Sequence, residues 1–166
     1  PTRRSSDLPT GVIMSNKKTG ILLLSHGSRL DDGEEVIKAY RDMYREEFSD
    51  AIVEYGFMEI RKPGIQETIK KLTTENDLDK IIVVPVFVAH GLHTKRDIPE
   101  LLGIESDFNE ETKFVHHHHH DHGHHHHHHD HDEEKVNFDG EIILTDPLGI
   151  DTRLYGIIKD RVFDYL

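Results

Sequence analysis

Four short apolar runs punctuate this chain, each followed by a stretch with helical spacing. Ile21-Leu22-Leu23-Leu24, Ile52 to Glu59, Lys80 to Ala89 and Glu141 to Leu144 are strand-length, and their aliphatic and β-branched content suits strands of a buried sheet. After the first, Val36, Ile37, Tyr40, Met43, Tyr44 and Phe48 fall on one face of a helix predicted over Glu34 to Phe48. Ile65, Ile69 and Leu72 give an inward face to a second helix, with Pro63 suited to its first turn. A short helix is predicted near Pro99 to Leu102. A last amphipathic one is predicted over Asp151 to Leu166, with Ile150, Leu154, Ile157, Ile158, Val162 and Phe163 as its apolar face.

Strand and helix alternating four times is the signature of an α/β fold with a parallel sheet. Right-handed crossovers favour the order 2-1-3-4 for a four-stranded unit, with helices flanking the sheet. In that order the chain reverses direction between the first and third strands, and ligands bind beyond the carboxyl ends at such a switch point. His26, in Ser25-His26-Gly27-Ser28-Arg29, lies beyond the first strand, and His90 and His93 lie beyond the third. Glu59, Arg61 and Lys62 leave the second on the same rim.

Length and charge narrow the possibilities. The 166 residues suit one domain. Residues 1–19 read as a disordered or non-native leader, with a natural start near Met14, and 20–166 as the domain. A formal charge of −12 argues against nucleic acid as a partner. No apolar run reaches the length of a membrane span and no signal-peptide pattern opens the chain, so a cytoplasmic location is expected. Cysteine is absent, which leaves imidazole and carboxylate for any metal chemistry.

Sixteen histidines concentrate that chemistry. A single histidine after a strand is more often hydrogen-bonded structure than a ligand. His26, His90 and His93 on one rim are a stronger signal, because neutral imidazoles suit divalent nickel, cobalt, zinc or iron. An imidazole also accepts protons near neutral pH. Arg29, Arg61, Lys62, Lys95 and Arg96 would form a basic rim suited to a polycarboxylate or a phosphate. The other histidines form one tract: His116, His117, His118, His119, His120, His122, His124, His125, His126, His127, His128, His129 and His131. It lies in an insert at 115–135, expected to be disordered without metal and to act as an accessory metal-binding segment.

The segments LLSHGSRL, GFMEIRKPGI, VVPVFVAHGLHTKRDIPELLG and ILTDPLGIDTRLYGIIKDRVF span Ile21 to Phe163. In them the chain resembles the small, short-form CbiX-type class II tetrapyrrole chelatases, some archaeal members of which carry a histidine-rich insert at this place. The resemblance implies a chelatase-like three-layer fold and an enzyme that inserts Ni2+ or Co2+ into sirohydrochlorin without ATP. The ion would be a co-substrate, with no permanently bound cofactor. The product would serve the nickel tetrapyrrole coenzyme of methanogenesis, anaerobic cobalamin, or both. It further implies that His26 contacts metal and accepts a proton and that His93 is the second metal ligand. Val88, Ala89, His90, Gly91, Leu92 and His93 would line the tetrapyrrole, and Lys62 would meet it from the other side. A chain this short supplies one lobe of a two-lobed cleft, so a homodimer is implied. Two alternatives stand beside this one: a nickel or cobalt store or metallochaperone acting through the tract, and an iron chelatase for sirohaem.

Overall fold

The computed structural model describes residues 18–106, 108 and 136–166. The leader up to residue 17 and the histidine-rich insert lie outside the described residues. Strands β1 (Lys18–Ser25), β2 (Ala51–Phe57), β3 (Leu78–Pro85) and β4 (Glu141–Leu144) form one four-stranded sheet in the order β2-β1-β3-β4. Every pairing is parallel, with Leu22 opposite Glu54 and Val83, and Val83 opposite Leu144. The expected α/β fold and strand order are those observed.

Alternation along β1 explains the layering. Leu22 and Leu24 join Ile81 and Val83 on one face, under Ile65, Ile69 and Leu72 of helix α2 (Ile65–Glu75) and Ile98 and Leu102 of helix α3 (Ile98–Leu102). Ile21 and Leu23 join Val53 on the other, against Ile37 of helix α1 (Asp32–Glu47). Each such fully buried aliphatic side chain contributes on the order of 1.5–3 kcal/mol, so the paired clusters on β1 anchor the domain.

Several boundaries differ from the sequence reading. The first strand begins at Lys18, and the third ends at Pro85, so Val86 to Ala89 are loop. The reason is local: β4 is only four residues long and its last residue pairs with Val83, so past Pro85 the chain keeps only separate backbone bonds, such as Val86 N–H to the Leu24 carbonyl at 2.8 Å. Helix α2 starts at Ile65, after Gly64, and Pro63 precedes it behind a cis Lys62–Pro63 bond. A π-type turn, His93–Asp97, runs directly into α3, so His93 opens a helical turn where a loop was expected.

Helix α4 (Thr152–Phe163) has the expected periodicity but no buried residue. Ile157, Ile158, Val162 and Phe163 are 49–72% exposed. The apolar face read from the sequence exists, and no element of the same chain covers it among the described residues. None of the described helices is long and apolar enough to cross a membrane.

Candidate metal centre

The ladder of the sheet continues beyond the strand ends and thereby assembles the site. Past β1 and β2, Met58 N–H donates to the Ser25 carbonyl at 2.9 Å and Glu59 N–H to the His26 carbonyl at 3.2 Å. Those bonds bring the first two loops into contact at Gly27. Its φ is +103°, and a Cβ there would lie 2.0 Å from the Glu59 carbonyl oxygen. Only glycine fits that approach. The chain then turns sharply at Ile60, whose φ of +69° is rare for a β-branched residue, with Arg61 N–H donating to Glu59 C=O at 2.7 Å. This is the geometry of a γ-turn with positive φ, a strained form, and it stands directly beside the Glu59 side chain.

The two loops and the π turn bring His26, Glu59 and His93 together, each offering one ligand atom within 4.8 Å of the others. His26 Nδ1 lies 3.5 Å from Glu59 Oε1, and the His26 and His93 rings stand edge to face at 5.0 Å. The Phe87 ring also stands edge to face with His26, at 6.1 Å between ring centroids. Two imidazoles and a carboxylate suit a borderline divalent ion. The side chains remain accessible, His26 at 52%, Glu59 at 48% and His93 at 35%. An ion held by three groups on an open rim keeps coordination positions free for a second ligand and can leave.

Around the cluster the rim is apolar. Ile60, Val88 and Leu92 are 62%, 63% and 49% exposed, and Leu148 from the loop after β4 is 47% exposed. That loop is strapped to the segment after β3 by Leu148 N–H to Phe87 C=O and Gly149 N–H to Val88 C=O, both 2.8 Å. Large exposed aliphatic side chains ringing a polar cluster form a surface for a flat, partly apolar ligand.

The residues singled out in the sequence divide into groups. His26 and His93 meet in the cluster, and Val88, Ala89, Gly91 and Leu92 are exposed on the rim. His90 is committed elsewhere: Nδ1 pairs with Thr94 Oγ1 at 3.1 Å and Nε2 with Asp146 Oδ1 at 3.2 Å. With both nitrogens engaged it ties the third loop to the fourth. Lys62 is 85% exposed, its Nζ 3.9 Å from Glu67, and it shares with Glu59 and Ile60 a cleft of about 340 Å³. The expected basic rim is thinner than five residues. Arg61 is consumed by Asp31, Glu34 and the carbonyls of Ser28 and Leu30, and Arg96 bonds Asp97, while Arg29 and Lys95 are exposed. Glu59 was legible as a rim residue but not as a partner of the two histidines. Its signal was the position, one strand exit from His26, together with the need for a carboxylate where cysteine is absent. The thirteen histidines of the tract lie outside the described residues.

Comparison with known proteins agrees with this architecture. The CbiX family model matches residues 20–165. A sirohydrochlorin cobaltochelatase of Methanothermobacter thermautotrophicus is 52% identical over 145 residues, covering 87% of this chain and 91% of the relative. One from Methanopyrus kandleri is 45% identical over 147 residues, covering 88% and 96%. The fold, closed by a metal-competent cluster at its switch point, is that of a chelatase-type α/β protein, and the chain belongs to the CbiX family. Among solved structures it is similar to a CbiX protein of Marinobacter aquaeolei, with TM-score 0.57 and 21% identity over 90% of this chain and 95% of that one. It is also similar to the sirohydrochlorin chelatase SirB of Bacillus subtilis in complex with cobalt, with TM-score 0.61 and 21% identity, where it covers 89% of this chain and 50% of that one.

Proposed function

We propose that this protein is a sirohydrochlorin chelatase that inserts Co2+ or Ni2+ without ATP. The observation that carries the proposal is the open cluster of His26, Glu59 and His93, ringed by exposed Ile60, Val88 and Leu92. The names of the relatives supply the substrate class, since those from Methanothermobacter and Methanopyrus are sirohydrochlorin cobaltochelatases. In the reaction M2+ replaces two pyrrole N–H protons, giving the metallated ring and two H+. His93 and Glu59 hold the incoming ion over the ring face, and His26 accepts a proton from the ring and passes it to water. The ion exchanges its weak, accessible protein ligands for four ring nitrogens in a plane. That exchange supplies the driving force, so no phosphoryl transfer is needed. Lys62, well exposed on the second loop, pairs with a ring carboxylate from the opposite side.

A second copy completes the cleft. Two features support a homodimer: the uncovered apolar face of α4, and the half of the longer SirB chain that one copy of this fold leaves unmatched. Between metals, the names of the relatives favour cobalt, and in that case the product feeds cobalamin synthesis. A cytoplasmic location fits this role. The histidine tract would raise the local metal concentration without taking part in turnover.

Anaerobic absorbance assays of sirohydrochlorin with cobalt, nickel and iron test the proposal. Insertion above the spontaneous rate is expected, fastest for cobalt or nickel, and His26→Ala should lower it at least roughly 100-fold, the usual worth of a positioned acid–base group. Insertion no faster than without protein would sink the enzyme reading. Fastest turnover with iron would move the enzyme to sirohaem. Deleting residues 116–131 should preserve turnover at saturating metal, whereas a store acting through the tract would lose its capacity.

A further inference from the structure

We infer that Asp97 is a positioning residue that holds His93 in the one tautomer able to bind metal through Nε2. The inference rests on the proposed role of His93 as a metal ligand and adds the group that makes it one. His93 Nδ1 lies 2.8 Å from Asp97 Oδ2. A carboxylate only accepts, so the ring must donate there and Nδ1 carries the proton. The lone pair available to a metal is then on Nε2, which pairs with nothing else among the described residues.

Three features indicate that this contact is built. First, the contact sits within the π turn: Ile98 N–H reaches back to the His93 carbonyl, five residues earlier, and His93 and Asp97, four apart, share one face. Single π turns of this kind concentrate at functional sites. Second, Asp97 lies where the π turn passes into α3, with helical backbone angles and no helix-capping bond from its side chain. Its oxygens go instead to His93 and, from Oδ1, to Arg96 Nε at 2.6 Å, so the carboxylate is itself held from behind. Third, His90, on the approach to the same turn, has both nitrogens engaged by Thr94 and Asp146. Of the two histidines in HGLH, only the one backed by Asp97 keeps a nitrogen for a ligand. Carboxylate partners of this sort fix ring orientation and raise the basicity of a metal-binding imidazole.

Steady-state insertion by the full-length protein tests the inference, with free Co2+ set by a metal buffer so that the histidine tract cannot deplete it. Asp97→Asn should raise the KM for Co2+ roughly 10–100-fold. The KM for sirohydrochlorin should stay within about twofold, because Asp97 faces the ligand histidine and not the ring. If His93→Ala raises the KM for Co2+ and Asp97→Asn does not, the positioning role is wrong. If neither moves it, the reading of His93 as a metal ligand fails and takes the inference with it. A measurement on the unmutated side chain guards against a folding defect in the variant. Long-range 1H–15N correlation of the imidazoles, with His93 assigned by difference against His93→Gln, should show the metal-free ring protonated at Nδ1. Protonation at Nε2 alone would overturn the inference.

Discussion

Gly27 and Ile60 are the two residues whose backbones carry the site. One accepts a φ of +103° so that the Glu59 carbonyl can approach, and the other adopts +69° despite its branched side chain. Strain of this kind costs on the order of 1–3 kcal/mol and persists only where surrounding structure enforces it. Here the enforcement is the pair of bonds from Met58 and Glu59 to the first loop. Gly27→Ala should therefore push the second loop away, separating Glu59 from His26. The expected result is a fall in insertion rate of more than tenfold with a destabilisation of about 1–3 kcal/mol. Thermal unfolding alongside the cobalt assay checks it, and wild-type turnover in the alanine variant would contradict the role given to the loop contact.

At the scale of elements, the start of α1 is locked to the second loop by a charge network. Glu34 accepts from Arg61 at 2.5 Å and from Tyr55 at 3.1 Å and pairs with Lys38 at 2.7 Å. Lys38 first, then Arg61, hold its carboxyl at about 2, below the ordinary 4.5. Because the folded value is the lower one, these bonds stabilise the fold above about pH 4.5, and that contribution fades as pH falls towards 2. Glu34→Gln should lower the Tm at pH 7, and the gap from the wild type should close progressively between pH 4.5 and pH 2. Melting curves across that range, followed by circular dichroism, measure it; a gap independent of pH would show that the network is not the cause. The network also explains why Arg61 is unavailable to a substrate. It spends its guanidinium holding the loop that presents Glu59.

On the scale of the molecule, two surfaces are unfinished. One is the carboxyl-end rim with its three ligand atoms on one side. The other is α4, where Tyr155, Ile158 and Phe163 are 62%, 56% and 72% exposed. An apolar face of this extent is costly in water, and among the described residues nothing covers it, which is the basis for proposing it as the dimer contact. A charge placed in it should break the proposed homodimer: Ile158→Asp together with Phe163→Asp is expected to give a monomer by sedimentation, with a folded circular-dichroism spectrum and insertion reduced by at least tenfold. A variant that stays dimeric, or a monomer with full activity, would show that α4 does not close the cleft. A recess of about 640 Å³, lined by Asp77, Asp79, Asp139 and Glu141, lies at the opposite end of the sheet, where β3 and β4 begin. It contributes nothing to this site.

The order of elements, the strand order and the rim where His26 and His93 meet were all legible in the sequence. The runs at Ile21 and Ile81 and the helical spacing between them leave few alternatives, and handed crossovers then put His26 and His93 on one edge without any coordinates. The short HGSR and HTKRD segments supplied the candidate ligands, since a chain without cysteine has only imidazole and carboxylate to offer a metal. What periodicity cannot convey is distance between loops. Glu59 became a partner of His26 only through ladder bonds beyond the strand ends, which depend on how two loops pack. His90 and His93 look equivalent in one dimension, and a π turn with its Thr94, Asp97 and Asp146 neighbours separates them in three. Arg61 reads as one basic residue among five until the fold places Asp31 and Glu34 around it. Helix α4 shows the same limit: its periodicity announces an apolar face, and only the packed chain reveals that no other described element covers it.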